Sequence, residues 1–142
     1  MNWPNDLLAI VLSVVFGAAI GIERQLSNKA AGLRTNILIC LGAAIFTIIS
    51  KYMESSDGTV SRIAAQIVTG VGFIGAGAII QDRGGIHGLT TAASIWLVAS
   101  IGMACGAHLF LLALITTIVA VIILFGLSHI KSVKKIYSEN NL

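Results

Sequence analysis

From Gly84 to Ile130 the chain runs for 47 residues without a single Asp, Glu, Lys or Arg. A helix needs about 20 apolar residues to cross the roughly 30 Å of bilayer hydrocarbon, so this run is too long for one span and suits two. Gly106-Ala107-His108 is its polar, flexible break, and a tight turn is expected there. The remaining charges are clustered too, and they bound three further charge-free stretches at Leu7 to Ile22, Thr35 to Ser50 and Ile63 to Gln81. With only 11% of the chain charged and 56% hydrophobic, against about 25% charged in ordinary globular chains, water is not its main solvent. The pattern predicts an all-α integral membrane protein with five transmembrane helices.

The start, MNWPNDLL, lacks the basic segment and the small-residue cleavage site of a secretory signal, so the first helix is expected to be uncleaved, with Trp3 and Pro4 as an interfacial lead-in. Orientation follows from the Lys and Arg of the connections. One side carries Arg24, Lys29, Arg34, Arg83, Lys131, Lys134 and Lys135, seven in all, and the other carries Lys51 and Arg62, two. Positive charge stays inside, which places the N-terminus outside and the C-terminus in the cytoplasm. Residues 1–130 then form a transmembrane domain and 131–142 a short basic cytoplasmic tail drawn to anionic headgroups. The net charge of +3 needs no nucleic acid to explain it.

A shift of 56 residues lays positions 9–45 on 65–101 with eleven identities and no gap, among them Gly21/Gly77, Gln25/Gln81, Gly32/Gly88 and Thr35/Thr91. Helices 1–2 and 3–4 are therefore read as a parallel repeat, each copy containing two spans. Gly32-Leu33-Arg34-Thr35 and Gly88-Leu89-Thr90-Thr91 become equivalent phrases, each opening a helix from the cytoplasmic side. Thr35 or Asn36, and Thr90 or Thr91, are expected to cap the helix N-termini there.

Residues Gly70 to Gly75 spell G-x-G-x-x-G, the fingerprint of a dinucleotide loop. That fingerprint needs a preceding strand, a soluble βαβ unit and an acidic residue about 20 positions later. None of these accompanies it here. In a membrane helix the same glycines let neighbours approach closely where lipid supplies no hydrophobic drive. Gly70 and Gly77 lie on one side of the third helix, and Gly72, Gly75 and Ala76 form a second small-residue stripe. Gly17/Gly21 and Gly102/Gly106 are G-x-x-x-G pairs. Close packing, within the chain or in a homodimer, is the first reading of these glycines. A kinked helix with a backbone-lined pathway is the second.

No ionisable residue stands mid-span, where carriers coupled to ions or protons keep them. No Ser/His/Asp or Cys/His set can be assembled from aqueous segments, so enzymatic activity has no support. Cys40, mid-span in helix 2, and Cys105, near the outer end of helix 4, lie at different depths and read as packing residues, not as a disulfide or metal pair. The cytoplasmic rim holds Glu23, Arg24, Lys29, Arg34, Asp82, Arg83 and His87, which could converge in one polar cluster. Magnesium takes hard oxygen ligands, and Glu23 and Asp82 are the only carboxylates on this rim before the tail. Arg24 and Arg83 stand beside them, and ion pairing within the chain competes with that use.

These residues carry a resemblance. GIERQLSNKAAGLRTN (21–36), LGAAIF (41–46), GVGFIGAG (70–77), GLTTAASIW (88–96) and ASIG (99–102) closely resemble the MgtC/SapB family of bacterial inner-membrane proteins. The resemblance implies a five-span membrane domain, with the family's acidic-basic pair on Glu23 and Arg24 and its K-x-A-G-L-R-T stretch on Lys29 to Thr35. It also implies a multi-pass, non-enzymatic protein tied to survival at low magnesium, which acts as a regulator through contacts with itself or a membrane-protein partner such as the ATP synthase. A small channel or carrier for magnesium or another ion is the alternative. Many relatives carry a soluble C-terminal regulatory domain, whereas this sequence ends twelve residues after Ile130. No cofactor is expected beyond a role for Mg2+.

Overall fold

The computed structural model describes residues 3–53, 60–83 and 85–139, with side-chain surroundings for 3–53, 63–83 and 85–126. Five helices and one short hairpin follow one another: α1 (Trp3–Leu26), α2 (Leu33–Tyr52), α3 (Val60–Gly77), β1 (Ile80–Asp82), β2 (Gly85–His87), α4 (Leu89–Gly106) and α5 (Phe110–Glu139). The chain's one proline, Pro4, lies in the first turn of α1, where its missing N–H would have had no helical acceptor. Asp6 in that same turn meets the positive end of the helix dipole.

Three helices are long and apolar enough to cross a membrane, namely α1, α2 and α4. The described apolar parts of the other two, Ile63–Gly77 and Phe110–Gly126, are shorter. The helix order thus matches the expected five apolar segments, while membrane-crossing length holds for three of them. The expected break in the long uncharged run falls where α4 ends at Gly106 and α5 begins at Phe110, with His108 in the left-handed region at φ 63°. Leu109 N–H closes the turn on the Ala104 carbonyl at 2.8 Å. The basic segment 131–142 continues the α5 helix as far as Glu139, and its side chains lie outside the described residues.

Helix α1 packs on α2, α4 and α5, while α3 packs on α2 and α4. Two apolar cores result. One lies among α1, α2, α4 and α5 and includes Phe16, Ile20, Cys40, Val98, Ile101 and Cys105. The other lies among α2, α3 and α4 and includes Ala43, Ile67, Val71, Ile95 and Ala99. Both cysteines are free and buried, and both belong to the first core, so the expected difference in their depth does not keep them out of one cluster.

The connection between α3 and α4 is an exposed antiparallel hairpin pairing Ile80 with His87 and Asp82 with Gly85. The helix caps also differ from expectation. Gly32 and Gly88 are the N-cap residues of α2 and α4, and neither helix has a side-chain bond from its cap residue. Thr35, Thr90 and Thr91 therefore fall inside the first turn. Gln25 supplies the missing acceptor for α2, its Oε1 taking the Leu33 N–H at 3.1 Å. Gly88 has φ 86°, and a Cβ there would collide with the Ala78 carbonyl oxygen, so only glycine fits this close approach of the hairpin to α4.

Candidate functional site

Buried polar groups gather at both ends of α1. At its C-terminal end Glu23 and Arg24, only 4% and 2% exposed, face the interior. Arg24 Nη1 stands 3.6 Å from Glu23 Oε2, and Ser27 donates to Glu23 Oε1 at 2.8 Å. Across the seam Asn36, fully buried, donates to the Ala31 and Gly32 carbonyls at 2.9 and 2.8 Å and so ties the 27–32 turn to α2. Four buried polar atoms here have no hydrogen-bond partner: Glu23 Oε2, Arg24 Nε and Nη2, and Asn36 Oδ1. Groups of this kind are expensive to leave unsatisfied, and they mark a place where water or a partner group belongs.

At the N-terminal end of α1, Asp6 accepts from Tyr52 on α2 and meets His108 of the α4–α5 turn, with Nε2 2.9 Å from Oδ1. Lys51 Nζ lies 3.2 Å from His108 Nδ1. An ammonium has only donors to offer, so Nδ1 accepts and Nε2–H points at Asp6. This network joins three separate chain segments. Positions 6, 51, 52 and 108 share no spacing rule, so the network could not be read from the chain.

The seven charges and polar groups expected on the rim do not form one cluster. Glu23 and Arg24 are withdrawn into the bundle, while Lys29, Arg34 and Thr35 are exposed. Asp82 and Arg83 are exposed on the hairpin, where Asp82 lies 3.5 Å from His87. Glu23 and Asp82 thus have different partners in different surroundings, and no group of three or more His, Cys, Asp or Glu residues suited to a metal occurs among the described residues.

The glycines divide by what stands opposite them. An added methyl would lie 2.9 Å from the Asn36 carbonyl oxygen at Gly17 and 2.8 Å from the Leu33 Cα at Gly21. At Gly102 it would strike the Cys40 carbonyl oxygen, and at Gly106 that of Ala44. These four glycines set the α1–α2 and α2–α4 approaches. On α3, Gly75 faces Ala92 at an ordinary 3.6 Å, while Gly70, Gly72 and Gly77 meet nothing within 4 Å. Gly21 and Gly77, paired by the 56-residue shift, therefore have different surroundings. Small hydroxyl residues within the helices bond back to their own carbonyls, as Thr47 to Ala43 at 2.8 Å, Ser94 to Thr91 at 2.8 Å and Thr117 to Ala113 at 2.7 Å.

A bundle with three helices of membrane-crossing length, glycine-tight seams and a buried acidic-basic pair is a compact helical membrane protein. The MgtC family is matched over residues 10–133, and the chain belongs to that family. Among its relatives are the "Putative magnesium transporter YhiD" of Escherichia coli K12, 44% identical over 125 residues, which are 83% of this chain and 58% of that protein. "Protein MgtC" of Salmonella typhimurium LT2 is 46% identical over 113 residues, 80% of this chain and 48% of that protein. The Synechocystis protein slr0014 is 44% identical over 110 residues, 78% of this chain and 47% of that protein. The chain thus spans about half the length of the curated relatives it matches. No solved structure matches it.

Proposed function

We propose that this protein is a non-enzymatic, multi-pass protein of the bacterial inner membrane that regulates magnesium or other ion homeostasis by holding another membrane protein. All five helices cross the bilayer in this reading, with the N-terminus outside, and the two helix pairs descend from one duplicated unit. The single observation that carries it is the outward face of α3. Ala65, Thr69, Gly72 and Ala76 recur there at helical spacing, all exposed, beside a Phe73 that is 83% exposed. Small residues in such a stripe admit a second helix at close range. The glycines of α1 and α4 are already occupied within the chain, so this is the stripe left for a partner, whether a second copy or a larger assembly such as the ATP synthase.

The test is site-directed crosslinking from α3 in native membranes. Gly72→Leu, placed where no atom stands within 4 Å, should leave the fold intact and abolish crosslinks to the partner. Unchanged crosslinking and co-purification in that variant would sink the reading.

A small magnesium conduit is the second reading. Two buried oxygens favour it, Glu23 Oε2 and Asn36 Oδ1, neither with a hydrogen-bond partner, together with the name of the Escherichia coli relative. Vesicles containing the purified chain decide it. Magnesium flux lost in Glu23→Gln supports conduction, and flux no greater than in empty vesicles excludes it.

A further inference from the structure

A groove of about 700 Å³ runs between α2 and α3. Leu38, Ile39 and Phe46 form one wall, and Ile67, Val71 and Ile74 the other. Gly42 and Gly70 keep it deep, since neither has an atom within 4 Å of where a Cβ would stand. From Arg34 to Phe46 it follows thirteen residues of α2, a rise of about 18 Å at 1.5 Å per step. That is a little more than half of the roughly 30 Å hydrocarbon core, the depth reached by one leaflet's acyl chains.

One end of the groove differs from the rest. Arg34 and Thr35 line it there, and both are exposed. Neither side chain has a hydrogen bond or ion pair among the described residues. Their backbone N–H groups belong to the first turn of α2, which has no intrahelical acceptor to offer them. A cation, a hydroxyl and two free N–H donors thus stand at a helix end where a groove opens whose other lining residues are apolar or glycine except Gln66. Lys29, five residues before Arg34 in the chain, is a further exposed cation. A second copy of this chain docked here would bring like charges together. A lipid with an anionic headgroup would satisfy them.

We propose that the α2–α3 groove binds one anionic phospholipid, its acyl chain between the two apolar walls and its phosphate on the Arg34 guanidinium and the Thr35 hydroxyl. The site is separate from the outward stripe of α3, whose Thr69, Gly72 and Ala76 do not line the groove. A bound lipid would fix the spacing of α3 from α2 and so hold that stripe in place.

Native mass spectrometry of the purified chain, loaded with dioleoyl phosphatidylglycerol or dioleoyl phosphatidylcholine, tests this. The expected result is one retained phosphatidylglycerol and little phosphatidylcholine. Arg34→Gln should lower phosphatidylglycerol retention on the order of tenfold, the worth of one charge-assisted contact. Gly42→Leu should fill the groove and abolish retention, and its melting temperature verifies that it folds. Arg83→Gln, a cation off the groove, should change nothing. Equal retention of the two lipids would overturn the proposal, as would an equal loss in Arg83→Gln. Efficient disulfide crosslinking between copies at Gly42→Cys would overturn it too, because the groove would then hold a second chain.

Discussion

The carbonyl oxygen of Cys40 occupies the place where a Cβ on Gly102 would have to stand. Backbone meets backbone there, and no rotamer change can relieve the contact. The second methyl-sized obstacle, the Ala43 Cβ at 2.9 Å, belongs to the same α2 seam.

Gly102→Ala is therefore expected to force α4 away from α2 and to cost on the order of 3 kcal/mol, the upper end of overpacking penalties. Gly70→Ala, which meets open space, should be neutral or slightly stabilising, because alanine favours the helix more. Thermal unfolding of the two variants in one detergent makes the comparison, and equal melting temperatures would contradict the packing described.

Removing either member of the Glu23–Arg24 pair strands a charge inside the bundle. Glu23→Gln and Arg24→Gln should each destabilise the protein by about 3–5 kcal/mol, whereas Glu23→Leu with Arg24→Met should cost much less than the sum of the two. Chemical denaturation of the single and double variants measures this coupling. Additive losses would mean that the two side chains act independently.

His108→Ala removes the group between Asp6 and Lys51. A loss of about 2 kcal/mol is expected, the worth of a hydrogen bond to a charged group. Asp6→Asn in the His108→Ala background should add less than it does alone, because the network is already broken. Melting curves of the three variants form the cycle.

Cys40 and Cys105 lie in the core with no measurable exposure. Neither should react with N-ethylmaleimide in the folded protein, and both should react after denaturation. Rapid labelling of native protein, followed by intact mass, would show that the α2–α4 seam opens.

The turn at Gly106–His108 was legible because 47 uncharged residues exceed one span. The hairpin was not, since strands of three residues carry too few positions for a period-2 pattern. The G-x-x-x-G spacings marked the glycines as contact points but could not say for whom. Gly17 and Gly102 press on neighbours within the chain while Gly72 meets none, and this depends on which helix lies alongside, a property of the bundle and not of the local spelling. The capping threonines failed for a related reason. Gln25, seven residues before Gly32, reaches across the turn to accept from Leu33, so the helix opens three residues earlier than the Thr35 signal suggested. Glu23 and Arg24 stood out through the resemblance. Their burial did not, because adjacent opposite charges at a helix end ordinarily remain in solvent.

Asp6 and Glu23 fix α1 by its two ends. Seventeen residues separate them, about 25 Å along the axis at 1.5 Å per residue, slightly less than the thickness of a typical hydrocarbon core. A helix held by buried charge at both extremities cannot answer a thicker bilayer by sliding or by changing its tilt alone, so the lipid must thin around the protein instead. Hydrophobic mismatch of this kind costs fractions of a kcal/mol per Å. The protein is thereby suited to thin membranes, and its stability should fall as lipid chains lengthen.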